Sequence, residues 1–165
     1  MEYANIEHFN PELDLVIERV VDVPAEIIWK AWTQPEHVKK WFCPKPWYVA
    51  ECEIELKPGG RNYNLMHGPN GEEHPNHGTI LEVIENRKLV FTDALDAGFR
   101  PMAHPMFMFT GMILLEPVTG GTKYTAMARH GTLEAAKKHA EMGFHVGWGI
   151  ALDQLVACAN AGEFN

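Results

Sequence analysis

The sequence predicts one α+β domain in which a curved antiparallel sheet of about six to seven strands wraps around a long C-terminal helix. Two observations lead to this prediction. Several segments alternate apolar and polar residues, as half-buried strands do, and an apolar stripe with helical spacing runs through the last part of the chain. The length of 165 residues suits a single domain spanning residues 1–165, with its core in residues 13–160.

The first strand and two short helices are expected at the start of the domain. Residues 13–22 alternate, with Leu13, Leu15, Ile17 and Val21 on one side. Pro24 ends this strand and suits the first turn of a helix, and Pro35 starts a second short helix. The apolar positions of the two helices are Ile27, Ile28, Ala31, Trp32, Val38, Trp41 and Phe42.

The middle of the chain reads as a series of strands and turns. Tyr48, Ala50, Cys52, Ile54 and Leu56 are predicted to face inward, and Glu51, Glu53 and Glu55 outward. Turns are expected at 57–60 and 68–71, with a strand between them that points Tyr63 and Leu65 inward, and a further turn at 74–77. The remaining strands are predicted at 78–84, 88–93, 106–116 and 122–130.

The long connection at 94–105 and the C-terminal helix complete the domain. The connection contains Leu95, Phe99 and Met102, and a long apolar loop of this kind is expected to cover a functional site. Thr132 is the expected N-cap of the long helix, and its three mid-helix glycines favour close packing on the sheet over a hinge. The apolar stripe of that helix comprises Phe144, Trp148, Leu152, Leu155 and Ala159, and the glycines are Gly143, Gly147 and Gly149.

Composition excludes some classes of function. A formal net charge of −8, with scattered basic residues, argues against binding nucleic acid. No apolar run reaches the roughly 20 residues that span a bilayer, and residues 1–5 lack the features of a signal peptide, so a cytoplasmic location is expected. Cys43, Cys52 and Cys158 cannot all pair, which favours free thiols in a reducing compartment.

Several motifs, in this order, resemble those of START-like (SRPBCC) proteins and, more narrowly, of the branch named for the activator of heat-shock protein ATPase. The resemblance extends over roughly residues 13–160. The motifs are Val23-Pro24-Ala25-Glu26, Ala31-Trp32-Thr33-Gln34-Pro35-Glu36, Trp41-Phe42, Lys57-Pro58-Gly59-Gly60-Arg61, Gly78-Thr79-Ile80-Leu81-Glu82-Val83, Leu89-Val90-Phe91-Thr92, Gly120-Gly121-Thr122, Met142-Gly143-Phe144-His145, Gly147-Trp148 and Leu152-Asp153-Gln154-Leu155.

This resemblance implies the helix-grip fold, in agreement with the order of predicted elements. Members of the superfamily bind lipids, steroids, polyketides or other apolar molecules, and some catalyse cyclisation or hydrolysis. The branch takes its name from a cochaperone domain. A fold alone does not determine which of these functions a chain performs.

Residues with catalytic or metal-binding potential show no established arrangement. The chain has no serine, which excludes a Ser-His-Asp triad, and no cofactor motif is present. His74 and His77 are expected in a turn, whereas His139 and His145 are expected on different faces of a helix, so no metal site is predicted. Cys43 is the one thiol for which partial exposure is expected to allow reactivity.

The favoured hypothesis is a cytosolic monomer or homodimer that binds a small apolar or aromatic molecule between the sheet and the C-terminal helix. The alternatives are a cyclase- or hydrolase-type enzyme, with Tyr63 or Tyr124 beside a histidine, and a module that binds a chaperone ATPase. Arg61, Arg129, His104 and His130 are candidates for charge at the rim. The predicted cavity residues are Trp41, Tyr63, Leu65, Phe91, Phe99, Met102, Phe107, Phe109, Tyr124, Phe144 and Trp148.

Overall fold

A computed structural model describes residues 6–165, so the prediction about a signal peptide, which concerns residues 1–5, lies outside the described residues. The fold is α+β, as predicted, and is consistent with a helix grip. The strands are β1 (Asp14–Val21), β2 (Tyr48–Ile54), β3 (Arg61–His67), β4 (Glu73–Ile84), β5 (Lys88–Thr92), β6 (Leu95–Asp96), β7 (Arg100–Pro101), β8 (Phe109–Val118) and β9 (Gly121–His130). The helices are α1 (Ala25–Thr33), α2 (Pro35–Trp41), α3 (Leu133–Glu141) and α4 (Phe144–Asn160).

Seven of the strands form one antiparallel sheet in the order β1-β9-β8-β5-β4-β3-β2. The first strand therefore pairs with the last, and Asp14 lies opposite Arg129. The apolar face of the sheet packs on α1 and α4, with Ile28, Ile113 and Leu155 fully buried between them. This closure joins β1 and α4, from opposite halves of the chain, in one core.

The core extends past the end of α4. Phe164 is 0% exposed and packs in the main apolar cluster, and its ring stacks on the imidazole of His37 with the ring centroids 5.2 Å apart. Lys40 donates a hydrogen bond from Nζ to the carbonyl oxygen of Glu163 at 2.7 Å. The predicted core limit at residue 160 is thus too short, since a turn after α4 returns Phe164 to α2.

The prediction that Tyr48 faces inward is wrong. A β-bulge between Val49 and Glu51 interrupts the pairing of β2 with β3 and reverses the alternation of side chains at the start of the strand. Val49 is consequently the buried residue, whereas Tyr48 is 53% exposed. The glutamates at 51, 53 and 55 remain on the exposed side, as predicted.

Strand β4 begins earlier than predicted and includes the expected turn at 74–77. Pro75 lies opposite Leu65 of β3, whereas β5 pairs only with the later residues 79–84. Proline, which has no N–H to donate, is compatible with this position because one side of β4 has no partner strand there. The early start brings His74 and Asn76 into the sheet.

The predicted single C-terminal helix is two helices. Thr132 caps α3 as expected, accepting a hydrogen bond from the backbone N–H of Ala135 at 3.1 Å. Gly143 then adopts a left-handed conformation with φ of 92°, which ends one helix and begins the next. A Cβ at Gly143 would meet nothing within 4 Å and one at Gly147 only Pro44, so close packing on the sheet is not the reason for these glycines.

Candidate functional site

A cavity of about 460 Å³ lies between the sheet, α4 and the segment 102–107. This volume is within the range of small-molecule pockets, which is about 300–1,000 Å³. Its wall is mainly apolar and rich in phenylalanine and tryptophan side chains. No lysine or arginine lines it in the described part of the chain, residues 6–165, and Asp93 is its only acidic residue there.

Trp32 of α1 forms the centre of the aromatic wall. Its ring lies 5.0 Å from that of Trp41, 6.1 Å from that of Phe91 and 6.4 Å from that of Trp148, measured between centroids. Its indole N–H donates a hydrogen bond to the hydroxyl oxygen of Tyr124 at 3.1 Å. Burial strongly raises the pKa of Tyr124, so its hydroxyl stays protonated and uncharged.

Glycine at position 111 makes room for this wall. A Cβ at Gly111 would lie 2.4 Å from the ring of Phe91, which pairs with it across β5 and β8. The absence of a side chain at position 111 of β8 therefore allows the Phe91 ring to lie over the sheet there. Its neighbour Phe109 meets it edge-on at 6.1 Å.

Many of the predicted cavity residues lie at this site. Their role in binding a ligand stays a prediction. The predicted residues that do line the cavity are Trp41, Phe91, Met102, Phe107, Phe109, Tyr124, Phe144 and Trp148.

Tyr63 and Leu65 lie on the opposite face of the sheet, and their prediction is wrong. The hydroxyl of Tyr63 donates a hydrogen bond to Glu51 at 3.2 Å, and Arg61 lies over its ring at 4.5 Å. The alternation rule assigns apolar residues to the buried face. In β3 the inward face lines the cavity and carries Asn62 and Asn64 instead. An enzyme that uses Tyr63 with a histidine inside the cavity is therefore not supported.

Phe99 also lies outside the cavity, contrary to prediction. The connection at 94–105 contains a short hairpin of β6 and β7, with a tight turn at residues 97–99 between its strands. That turn docks on the loop before β3, where Gly98 donates its N–H to the carbonyl oxygen of Gly59 at 2.8 Å. The ring of Phe99 covers Gly59 and is 49% exposed. Only the later part of the connection, from Met102, reaches the cavity.

A cluster of polar side chains on β3 and β4 forms one side of the cavity. These residues are absent from the predicted cavity residues. Asn76 donates a hydrogen bond from Nδ2 to Oδ1 of Asn64 at 2.8 Å, and Asn62 and His74 lie beside this pair. Asparagine alternates with apolar residues in 62–66, which does indicate this strand. The prediction, however, placed Tyr63 and Leu65 on the inner face, where the structure has the asparagines.

The predicted rim charges are distributed differently. His104 lines the cavity, whereas Arg61 pairs with Glu53 on the outer face and Arg129 pairs with the buried carboxylate of Asp14. His130 is buried rather than at a rim. Its imidazole is hydrogen-bonded to that of a second histidine, His139.

His130 and His139 form a hydrogen-bonded pair of imidazoles at the end of the cavity. His130 Nδ1 lies 2.9 Å from the carbonyl oxygen of Leu13, and His130 Nε2 lies 2.9 Å from His139 Nδ1. The ring of His139 stacks on Phe107 at 4.0 Å, is 6% exposed and lines the cavity. Burial, with a smaller effect of His130, lowers the pKa of His139 to about 4, so the ring is neutral near pH 7.

Asp93 positions the segment that closes the cavity. Its two carboxylate oxygens accept hydrogen bonds from the backbone N–H groups of Phe107 and Phe109, both at 2.8 Å. The preceding residue, Thr92, donates its hydroxyl to the carbonyl oxygen of Phe109 at 2.8 Å. Within residues 6–165, the one carboxylate in the wall thus already accepts hydrogen bonds from two backbone N–H groups.

We expect Asp93→Ala to lower the free energy of unfolding by about 2 kcal/mol, because two backbone donors lose a charged acceptor. Amide hydrogen exchange should also accelerate at Phe107 and Phe109. Chemical denaturation and exchange measured by NMR test both effects. Asp96→Ala is the matched control, since that carboxylate accepts from Ala97 alone in an exposed turn; equal losses in the two variants would contradict the role of Asp93.

The three cysteines are free thiols, as predicted. Burial raises the pKa of Cys43, Cys52 and Cys158 to about 11 in each case. Cys43 is buried in the cavity wall. The expectation that partial exposure makes Cys43 reactive is therefore wrong, since the nucleophilic thiolate is disfavoured.

Residues 6–165 contain no cluster of three or more histidine, cysteine or acidic side chains placed to hold a metal ion. Within the same part of the chain, no helix is both long and apolar enough to cross a membrane.

Solved structures from several bacteria share this fold. A protein of Nitrosomonas europaea is 41% identical, with a TM-score of 0.90, and the match covers 95% of this chain and 100% of that one. Protein Ms6760 of Mycobacterium smegmatis is 28% identical, with a TM-score of 0.76, and the match covers 94% and 96% of the two chains. An AHSA1-like protein of Aeromonas hydrophila, 18% identical, has a TM-score of 0.72 over 93% and 96%.

No curated protein matches the chain significantly. The model of one protein family does match it, over residues 22–160, which includes every strand from β2 to β9 and all four helices. This match confirms the resemblance drawn from the sequence motifs. The chain belongs to the family described as activator of Hsp90 ATPase homolog 1-like protein.

Proposed function

We propose that this protein binds a small, uncharged apolar or aromatic molecule in the cavity between the sheet and α4. The observation that carries the proposal is an aromatic cavity of about 460 Å³ in a domain whose core is otherwise well buried. Protein interiors are normally close-packed, so a space of this size with an apolar wall is typical of a binding pocket.

The chemistry of the wall supports an apolar occupant. Rings from α1, α4, β5 and β8 converge on the space, and stacking on such rings favours flat ligands. Met102, Met106 and Met142 lie in the wall on its more open side, where their flexible side chains adapt to ligands of different shape. Polar side chains lie beside these rings, among them the asparagines of β3 and β4 on one side of the space, and can orient an apolar ligand.

Gly147 offers a direct test, because it lines the cavity and its missing side chain leaves the space open. We expect Gly147→Phe to fill part of the cavity and weaken binding of the uncharged probe N-phenyl-1-naphthylamine at least tenfold. Gly147→Ala is the matched control. It should bind the probe like the original protein and gain up to about 1 kcal/mol in stability from helix propensity.

Probe fluorescence gives the affinity, and native mass spectrometry of freshly purified protein reveals any co-purified molecule. A co-purified adduct that persists in Gly147→Ala and disappears in Gly147→Phe would identify the cavity as its site. Absence of probe binding to the original protein, or equal binding by both variants, would contradict the proposal.

A further inference from the structure

The hydrogen-bonded histidine pair determines which polar atom the cavity offers to a ligand. A carbonyl oxygen only accepts, so His130 must donate its Nδ1–H to Leu13. In the neutral ring, His130 Nε2 is then an acceptor and receives the Nδ1–H of His139. The remaining nitrogen of His139, Nε2, consequently carries a lone pair and no proton.

The surroundings of His139 Nε2 leave this nitrogen available to a ligand. Among residues 6–165, none donates to His139 Nε2, and the atom is not sealed from solvent-accessible space. Aromatic rings surround the imidazole, with Phe107 stacked on it at 4.0 Å and Phe144 edge-on at 5.4 Å. The ring is therefore held in one orientation with an unused acceptor in an apolar wall.

We propose that His139 Nε2 accepts a hydrogen bond from the bound molecule, so that the cavity selects uncharged aromatic ligands with a hydroxyl or N–H group and rejects carboxylates. This inference rests on the proposed function and specifies its ligand class. A carboxylate would meet an acceptor at His139 and no lysine or arginine in the wall of the described chain. Burial of an unpaired charge is expensive, so selection against anions follows from the same arrangement.

The lowered pKa of His139 agrees with this geometry. An imidazole that protonated near pH 7 would present a donor and attract anions, whereas burial keeps this ring neutral. The neutral acceptor complements a phenol-like donor. Tyr124 adds a hydroxyl next to Trp32, and the ring of Trp148 lies 6.5 Å from that of His139.

Three probes of equal ring size test the proposal on the original protein: 2-naphthol, 2-methylnaphthalene and 2-naphthoate, each titrated at about pH 7.5 by tryptophan fluorescence. We expect 2-naphthol to bind about tenfold more tightly than 2-methylnaphthalene, as one well-placed hydrogen bond gives. Binding of 2-naphthoate should be at least tenfold weaker than that of 2-naphthol. In His139→Phe, which keeps an aromatic ring, 2-methylnaphthalene should bind at least as tightly as 2-naphthol.

A ¹⁵N spectrum of histidine-labelled protein gives a readout that does not depend on the stability of a variant. The resonance of His139 Nε2 should shift upon addition of 2-naphthol and remain in place with 2-methylnaphthalene. If both uncharged probes bind equally and the resonance does not move, the role of His139 is overturned while the cavity function stands. If none of the three probes binds, the cavity function itself is contradicted.

Discussion

Replacing Phe164 by alanine is expected to lower the free energy of unfolding by about 3–5 kcal/mol, the usual loss for a fully buried phenylalanine. The ring is 0% exposed and belongs to the same cluster as Ile28, Leu152 and Leu155. It also covers the imidazole of His37, whose Nδ1 is buried without a hydrogen-bond partner in the described chain. Truncation would leave a void between α2 and α4.

Urea denaturation followed by circular dichroism measures this loss. Asn165→Ala is the control, because that residue is exposed and its replacement should change stability by no more than about 0.5 kcal/mol. A loss below about 1 kcal/mol for Phe164→Ala would show that the turn after α4 is dispensable for the core. A loss of the expected size would show that the folded domain extends beyond α4.

Acidification from about pH 6.5 to pH 4 is expected to destabilise the protein through His139. Its pKa is lowered from 6.5 to about 4 in the folded state, so the unfolded chain binds the proton first and stability falls as the pH falls through this window. The contribution is fully present above pH 6.5. We expect it to amount to about 2 kcal/mol after allowance for solvent screening.

Denaturation curves collected at intervals between pH 4 and pH 7.5 test this dependence. His139→Phe should reduce the slope of stability against pH in this window, with a smaller slope remaining from His37, whose pKa burial also lowers. His145→Gln changes an exposed histidine of α4 and should leave the slope unaltered. An unchanged slope in His139→Phe would mean that this ring is solvated in the folded protein.

Periodicity predicted the fold where one face of a strand is covered by helices. In β8 and β9 the inward residues Phe109, Ile113, Tyr124 and Ala126 alternate with outward ones, and their strands end within a few residues of the predicted positions. Proline positions similarly located α1 and α2. These signals are local, so they predict strands and helices without knowledge of tertiary contacts.

The same rule failed in β3 because the buried face there borders a cavity rather than a packed core. Asn62 and Asn64 face inward, and Tyr63 faces out, so an apolar pattern points away from the site. Departures from simple patterning are expected at functional sites. The reversed pattern of polar and apolar residues in β3 therefore coincides with the polar side of the cavity.

Features that depend on the angle between consecutive elements or on a single backbone conformation were not predictable from the sequence. His130 ends a strand and His139 lies in the following helix, and only the angle between these elements brings their nitrogens to 2.9 Å. The backbone conformation of Gly143 likewise has no periodic signal. A glycine in a helical pattern indicates a helix break or close packing, and sequence alone favoured the wrong alternative.

The pairing of β1 with β9 has a consequence for biosynthesis. Asp14 and Arg129 are separated by 115 positions in the chain, and at about 5–20 residues per second a ribosome needs roughly 6–23 s to synthesise the intervening residues. During that interval β1 lacks its partner strand β9. Its apolar residues, including Val16 and Ile17, are not yet covered by the rest of the core. Early binding of a chaperone to this first strand, and its release once β9 has emerged, would protect the nascent chain from aggregation.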